Sequence, residues 1–154
     1  MQPMDKYKMS LQAIVDLDGT LSDSAHRQHF MTGKKKDWMA FYEALVDDEP
    51  NWDILWIVEN WALQNVPILL ATGRPEEYRL ITCQWLEKYH VPFRQLYMRK
   101  TKDYRSDDIV KLELLEQMRA DGYNPNIALD DRDRVVRAWR SVGIRCLQVA
   151  DGAF

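Results

Sequence analysis

Short apolar runs alternate along the chain with longer stretches of helical periodicity. Five runs read as strands: Gln12–Asp16, Val66–Ala71, Gln95–Met98, Asn126–Asp130 and Ile144–Val149. Several are continuously apolar, the pattern of strands covered on both faces of a parallel sheet. Pro75, with Glu76 and Glu77 after it, predicts a helix start, with Tyr78, Ile81, Trp85 and Tyr89 on the inner face. A second helix is predicted from about Asp107, with Ile109, Leu112, Leu115 and Met118 inward and a stop at Asp121-Gly122. A third carries Val135, Val136, Trp139 and Val142 and stops at Gly143. This alternation predicts an α/β fold, a three-layer sandwich on a mostly parallel, doubly wound five-stranded sheet.

The stretch between the first two strands differs in character. Trp38, Phe41, Tyr42 and Leu45 recur at helical spacing, as do Trp52, Leu55, Trp56 and Leu63. They predict two amphipathic helices. The second crosses back to the sheet, and residues about 22–52 form a small helical cap-like insertion over the site. Core packing explains these aromatics through their periodicity, although rings of this kind also stack on bases in single-strand binders. The whole of 1–154 reads as one domain, a size that supports a real core.

Charge and composition narrow the partners. A net charge of −3 supplies no global basic field, so any nucleic-acid contact needs a local patch. Cys83 and Cys146 stand far apart in sequence, which favours reduced thiols in a cytosolic setting. Met1 to Ser10 is polar without an apolar leader core, and no apolar run reaches membrane-spanning length. A soluble, cytoplasmic protein without membrane contact is expected.

The chemistry concentrates where apolar runs stop. Ile14-Val15-Asp16-Leu17-Asp18-Gly19-Thr20 ends a strand in two carboxylates, costly to bury unless they bind metal or react. Asp-x-Asp suits phosphoryl transfer: one carboxylate attacks phosphorus, the other handles protons, and both stand close enough to share Mg²⁺. An ordinary Asp-Gly turn leaving the core is the alternative. Thr72-Gly73-Arg74 follows the second strand and offers a hydroxyl, close backbone and a guanidinium for an anion, or simply a strand-to-helix turn. Lys111, four residues after Asp107, can neutralise a transferring phosphoryl, with Asp107 orienting a basic group; a surface ion pair accounts for the same spacing. Asp130-Asp131 closes another apolar run and invites a divalent cation, unless it is a solvated acidic loop. All these acids emerge at carboxyl ends of predicted strands, where open α/β sheets carry their sites. His26 and His29 lack a third zinc ligand, and Lys34-Lys35-Lys36 reads as a solvated stretch able to help hold a polyanion.

Asp16-x-Asp18-Gly-Thr20, Thr72-Gly-Arg74, Lys111 and Asp130-Asp131 resemble, in that order, the four motifs of the haloacid dehalogenase superfamily phosphohydrolases. Tyr104–Lys111, Ala128–Val136 and the tail Trp139–Phe154 resemble the 3′-phosphatase domain of bacteriophage polynucleotide kinases, over about Leu11 to Phe154. The resemblance implies Asp16 as nucleophile, Asp18 as general acid–base, and Mg²⁺ on Asp16, the Asp18 carbonyl and Asp131, supported by Asp130. It further implies Thr72, Gly73, Arg74, Lys111, Asp107, Arg27 and Arg99 around the substrate. Thr72 replaces the phage serine, and no Gly-x₄-Gly-Lys-Ser/Thr loop occurs, so no 5′-kinase activity is expected. The implied substrate is a 3′-phosphate at a DNA or RNA end, in phage or bacterial host cytoplasm. A phosphatase for free nucleotides or other small phosphates, or a non-catalytic nucleic-acid-end binder, is the alternative; a binder has no use for the paired acids.

Overall fold

The computed structural model describes residues 10–154, so all of the polar Met1–Ser10 stretch but Ser10 lies outside it. Its centre is β1, Ala13–Val15, buried on both faces as the unbroken apolar run requires. Four more parallel strands complete the sheet: β4 (Ile68–Pro75), β5 (Gln95–Arg99), β6 (Ile127–Asp130) and β7 (Arg145–Gln148), in the order β5-β4-β1-β6-β7. The chain winds outward through β4 and β5, then returns to the other side of β1. The carboxyl end of β1 is therefore the topological switch point, where loops diverge and leave a crevice.

Two apolar layers cover the sheet. Ala13, Val15, Ile68 and Leu70 face α2 (Trp52–Leu63) and α3 (Arg79–Lys88). Ile14, Leu69 and Ala71 face α4 (Asp107–Ala120) and α5 (Asp133–Ser141). Each buried aliphatic side chain stabilises the fold by roughly 1.5–3 kcal/mol, which offsets the cost of the charges buried at the sheet's end. Cys83 and Cys146 are free thiols in opposite layers. No helix among the described residues is long and apolar enough to cross a membrane.

The segment between β1 and α2 begins with β2 (Ser22–Asp23) and ends with β3 (Glu49–Pro50), which pair antiparallel. Between them stand a 3₁₀ turn, Ala25–Met31, and the short helix α1, Trp38–Glu43.

Several helix faces differ from the sequence expectation. Pro75 is extended at the end of β4, and a 3₁₀ turn over Glu76–Tyr78 precedes α3, so Thr72-Gly73-Arg74 is bulged strand and not a helix N-terminus. On α2 the inward stripe is Ile54, Leu55 and Val58, while Trp52 and Trp56 are 60% and 64% exposed. Two apolar stripes compete there; the aliphatic one faces the sheet, and the indoles keep their N–H groups near water. On α4, Val110, Leu114, Leu115 and Met118 face inward with Lys111, and Ile109 is largely exposed. Turning Lys111 toward the buried acids rotates that stripe by about one residue.

Candidate active site

Asp16 is the first residue beyond β1, and its N–H still donates to the Leu129 carbonyl at 3.1 Å. That continuity with the sheet fixes its carboxylate at the crevice. Lys111 Nζ donates to Asp16 Oδ1 at 2.7 Å and to Asp130 Oδ2 at 3.1 Å, linking β1, α4 and β6. Thr20 Oγ1 lies 3.0 Å from Asp16 Oδ2 and 3.3 Å from Asp131 Oδ1, and its one proton serves either. Asp130 is committed: Oδ1 accepts from the Asp131 and Arg132 N–H groups, Oδ2 from Lys111 and Trp139 Nε1. Asp16 and Asp131 retain open lone pairs.

The charges do not balance. Ligand atoms of Asp16, Asp130 and Asp131 lie within 4.8 Å of one another, all three are buried, and Lys111 supplies one positive charge. Burial, then Asp130, push the Asp16 pKa well up against the pull of Lys111. Burial and Asp130 likewise raise Asp131. Burial alone would lower Lys111, yet Asp130 and Asp16 hold it above its usual value. A divalent cation on Asp16 and Asp131 matches this oxygen-rich, electron-rich donor set.

Gly19 makes the cluster possible. Its φ is +84°, and a Cβ there would stand 2.3 Å from Asp131 Oδ2. Gly19→Ala is expected to lose about 1–2 kcal/mol from the left-handed backbone alone, and more from displacing Asp131. A lower Tm together with weaker divalent-cation binding in calorimetry is the expected result.

Asp18 points away from the cluster. Its carboxylate accepts from Arg27 Nη2 and from Arg74 Nε and Nη2, the last at 2.6 Å. Burial would raise its pKa, but the two guanidinium groups prevail and hold it well below the usual carboxylate range. Arg27 is wholly enclosed: Nε donates to Asp48 Oδ1 at 2.8 Å, Nη2 to Asp48 Oδ2 at 2.7 Å, and Nη1 to the Phe41 carbonyl at 3.3 Å. In this arrangement Arg27 aims Asp18. Arg74 also donates to Thr82 Oγ1, and Thr72 Oγ1 accepts from the Arg74 N–H at 3.2 Å, so the hydroxyl shapes the bulge.

Arg99 and Asp107 form a third group. Arg99 Nε donates to the Gly73 carbonyl at 2.9 Å, Nη1 to the Asp103 and Arg105 carbonyls, and Nη2 to Asp107 Oδ1. The other Asp107 oxygen accepts from Arg132 Nη1. Asp107 thus orients two basic groups and does not pair with Lys111, because the α4 turn directs the lysine to Asp16. Arg99 braces the loop over residues 100–105, where the sequence suggested contact with strand phosphates. Gly73 packs closely against this pair: a Cβ there would stand 2.9 Å from Asp107 Oδ1 and displace it.

Residues 11–154 match the family described as the polynucleotide kinase PNKP phosphatase domain. The chain belongs to that family. It is a phosphatase domain of haloacid dehalogenase type. A baculovirus protein of Autographa californica nuclear polyhedrosis virus, named as a candidate bifunctional polynucleotide kinase/RNA ligase, is 28% identical over 142 residues. That match covers 91% of this chain and 19% of the viral protein. A chain of the Pnkp1/Rnl/Hen1 RNA repair complex superposes with a TM-score of 0.80 at 31% identity, over 95% of this chain and 44% of that one. A haloacid dehalogenase-like hydrolase from Streptococcus pneumoniae, 16% identical with a TM-score of 0.64, covers 90% of this chain and 84% of its own and shares the fold. This phosphatase domain therefore spans less than half the length of the polynucleotide-repair relatives it matches.

Three further residues complete the candidate site, each through its partners. Asp48, fully buried, accepts from Arg27, His26 Nε2 and Ser22, and its carbonyl accepts from Trp85 Nε1 at 2.9 Å. Thr20 bridges two acids, and Arg132 completes the Asp107 pairing. Thr20 and Arg132 lie inside the motifs, a usable signal; Asp48 carries none.

Proposed function

We propose that this phosphatase domain removes the phosphate from 3′ ends of polynucleotide strands, by attack of Asp16 on phosphorus with Mg²⁺ as cofactor. What supports this most is an open-lone-pair carboxylate, Asp16, held by Lys111 next to Asp131, in a chain of the polynucleotide kinase phosphatase family.

Asp16 and Asp131, with the Asp18 carbonyl, would hold the Mg²⁺, which when bound neutralises carboxylate and phosphate charge. Lys111 steadies the nucleophilic carboxylate and adds a positive charge beside the transferring group. Thr72, Gly73 and Arg74 would receive the phosphate oxygens, although Arg74 is wholly buried on Asp18 and Thr82 before the phosphate arrives. An arriving phosphate dianion competes with Asp18 for Arg74, and loosening that pair lets Asp18 carry a proton. Asp16 forms a bond to phosphorus, the bond to the 3′-oxygen breaks, and Asp18 protonates the departing oxygen. Asp18 then takes a proton from water, which attacks phosphorus; the bond to Asp16 breaks and the carboxylate returns. The 3′-hydroxyl left behind is the group a strand-joining step consumes, consistent with action beside other end-processing modules.

Phosphate release from a 3′-phosphorylated oligonucleotide, 3′- and 5′-mononucleotides and an alkyl phosphate, each with and without Mg²⁺, tests this reading. Turnover should favour the oligonucleotide, vanish in excess chelator and return on adding Mg²⁺. Full activity in chelator overturns the metal role, and preference for mononucleotides moves the assignment to small phosphates.

A further inference from the structure

Aromatic rings lead outward from the acid pair. Tyr42 packs against Trp38, with ring centroids 5.9 Å apart and planes 22° from parallel, and against Tyr78 at 4.8 Å. Phe41 meets Trp38 and Tyr42 edge-on at 6.3 and 5.2 Å. The group is tied to the catalytic crevice through Arg27, which lies over the Phe41 ring at 4.4 Å, donates to its carbonyl and reaches Asp18. Tyr42 borders the same crevice: burial, then Asp18 and Asp107, raise its phenol pKa while Arg99 and Arg74 oppose. Trp38 differs from these inner rings. It is 51% exposed, and unlike the exposed Trp52 and Trp56 it belongs to the aromatic group tied to Asp18 through Phe41 and Arg27. Lys36 Nζ stands 5.7 Å from its ring centroid, and Lys34 and Lys35 are exposed just before it.

We propose that Trp38, backed by Tyr42 and Tyr78, is a stacking platform for an unpaired nucleobase at the strand's end. Lys34, Lys35 and Lys36 attract the backbone phosphates that precede that base. The proposal rests on the strand-end reading above and names the contact that distinguishes a strand from a small phosphate. A half-exposed indole among clustered ammonium groups matches the alternation of base and phosphate in a single strand, with Lys36, which lies over the ring, moving aside for the base. Every base has a π-face, so the platform accepts all four bases. Phe41 and Arg27 connect the platform to Asp18, and through it to the reacting site.

The test compares wild type, Trp38→Ala and Trp38→Phe on three substrates. These are a 3′-phosphorylated oligonucleotide, the same strand with a tetrahydrofuran abasic unit at its last position, and ribose 3-phosphate. Trp38→Ala should raise KM for the intact strand roughly tenfold, the scale of one base–aromatic stack, with kcat little changed. Trp38→Phe should recover most of that loss. On the abasic strand the variants should match wild type, whose own KM should already be raised. An equal loss on intact and abasic strands, or no loss on either, overturns the platform while leaving strand-end phosphatase activity in place. Wild type that hydrolyses ribose 3-phosphate and neither strand overturns the strand-end reading, and the platform falls with it.

Discussion

Asp16→Asn should reduce phosphate release by on the order of 10⁴-fold or more, the scale on which removal of a covalent nucleophile acts, with the fold intact. The amide keeps the shape, and its oxygen can accept from Lys111 while its NH2 faces the Thr20 hydroxyl, yet it cannot form the bond to phosphorus. The effect on stability has the opposite sign to what removing an ion pair suggests. Burial and Asp130 outweigh Lys111 and raise the Asp16 pKa above its unfolded value. An acid so shifted contributes stability while protonated, and that contribution is lost as pH rises through the folded pKa. At neutral pH without divalent cation, Asp16→Asn should therefore melt at the wild-type temperature or above it. Substantial turnover in a folded Asp16→Asn protein would contradict the covalent route, and a clear fall in Tm would contradict the charge imbalance.

Asp48→Ala should be the most destabilising change near the site. It strips from Arg27 the carboxylate that grips it with both oxygens, a pair whose side chains are both fully buried. Breaking a buried pair by removing one member costs about 3–5 kcal/mol. Arg27 keeps Asp18, which places the expected loss near the lower figure, a Tm fall of about 10 °C for a domain of this size. Activity should fall as well, because Arg27 then no longer aims Asp18 from a fixed position. Thermal melts and kcat on the same preparation check both. An unchanged Tm would mean that Arg27 finds water or another acceptor when Asp48 is gone.

The sequence carries the sheet clearly because each central strand is an unbroken apolar run, and a strand buried on both faces leaves little ambiguity. Asp16, Asp18 and Asp130-Asp131 were legible for a related reason: acids that terminate such runs must stand at the sheet's carboxyl edge. Partners were less legible than positions. Lys111 sits one turn from Asp107, yet it reaches Asp16 on another element, and only the α4 register decides between them. Arg27 and Arg99 are expected at the substrate from the resemblance, and the partners the sequence does not announce are Asp48 for Arg27 and the carbonyls of the loop after β5 for Arg99. Asp48 was invisible because its role depends on β3 returning beside β2, a long-range pairing with no local signature. The tryptophans misled for a physical reason: helical spacing fits both a buried and an exposed stripe, and α2 carries both.

Phosphate removal from the 3′ end of a strand can be measured directly. The most direct measurement compares initial rates of phosphate release from two isomeric oligonucleotides of one sequence, one phosphorylated at the 3′ end and one at the 5′ end, with Mg²⁺ present and Asp16→Asn as background. Rapid release from the 3′ isomer and release near background from the 5′ isomer are expected; equal rates on the two, or faster release from the 5′ isomer, would contradict 3′-end specificity.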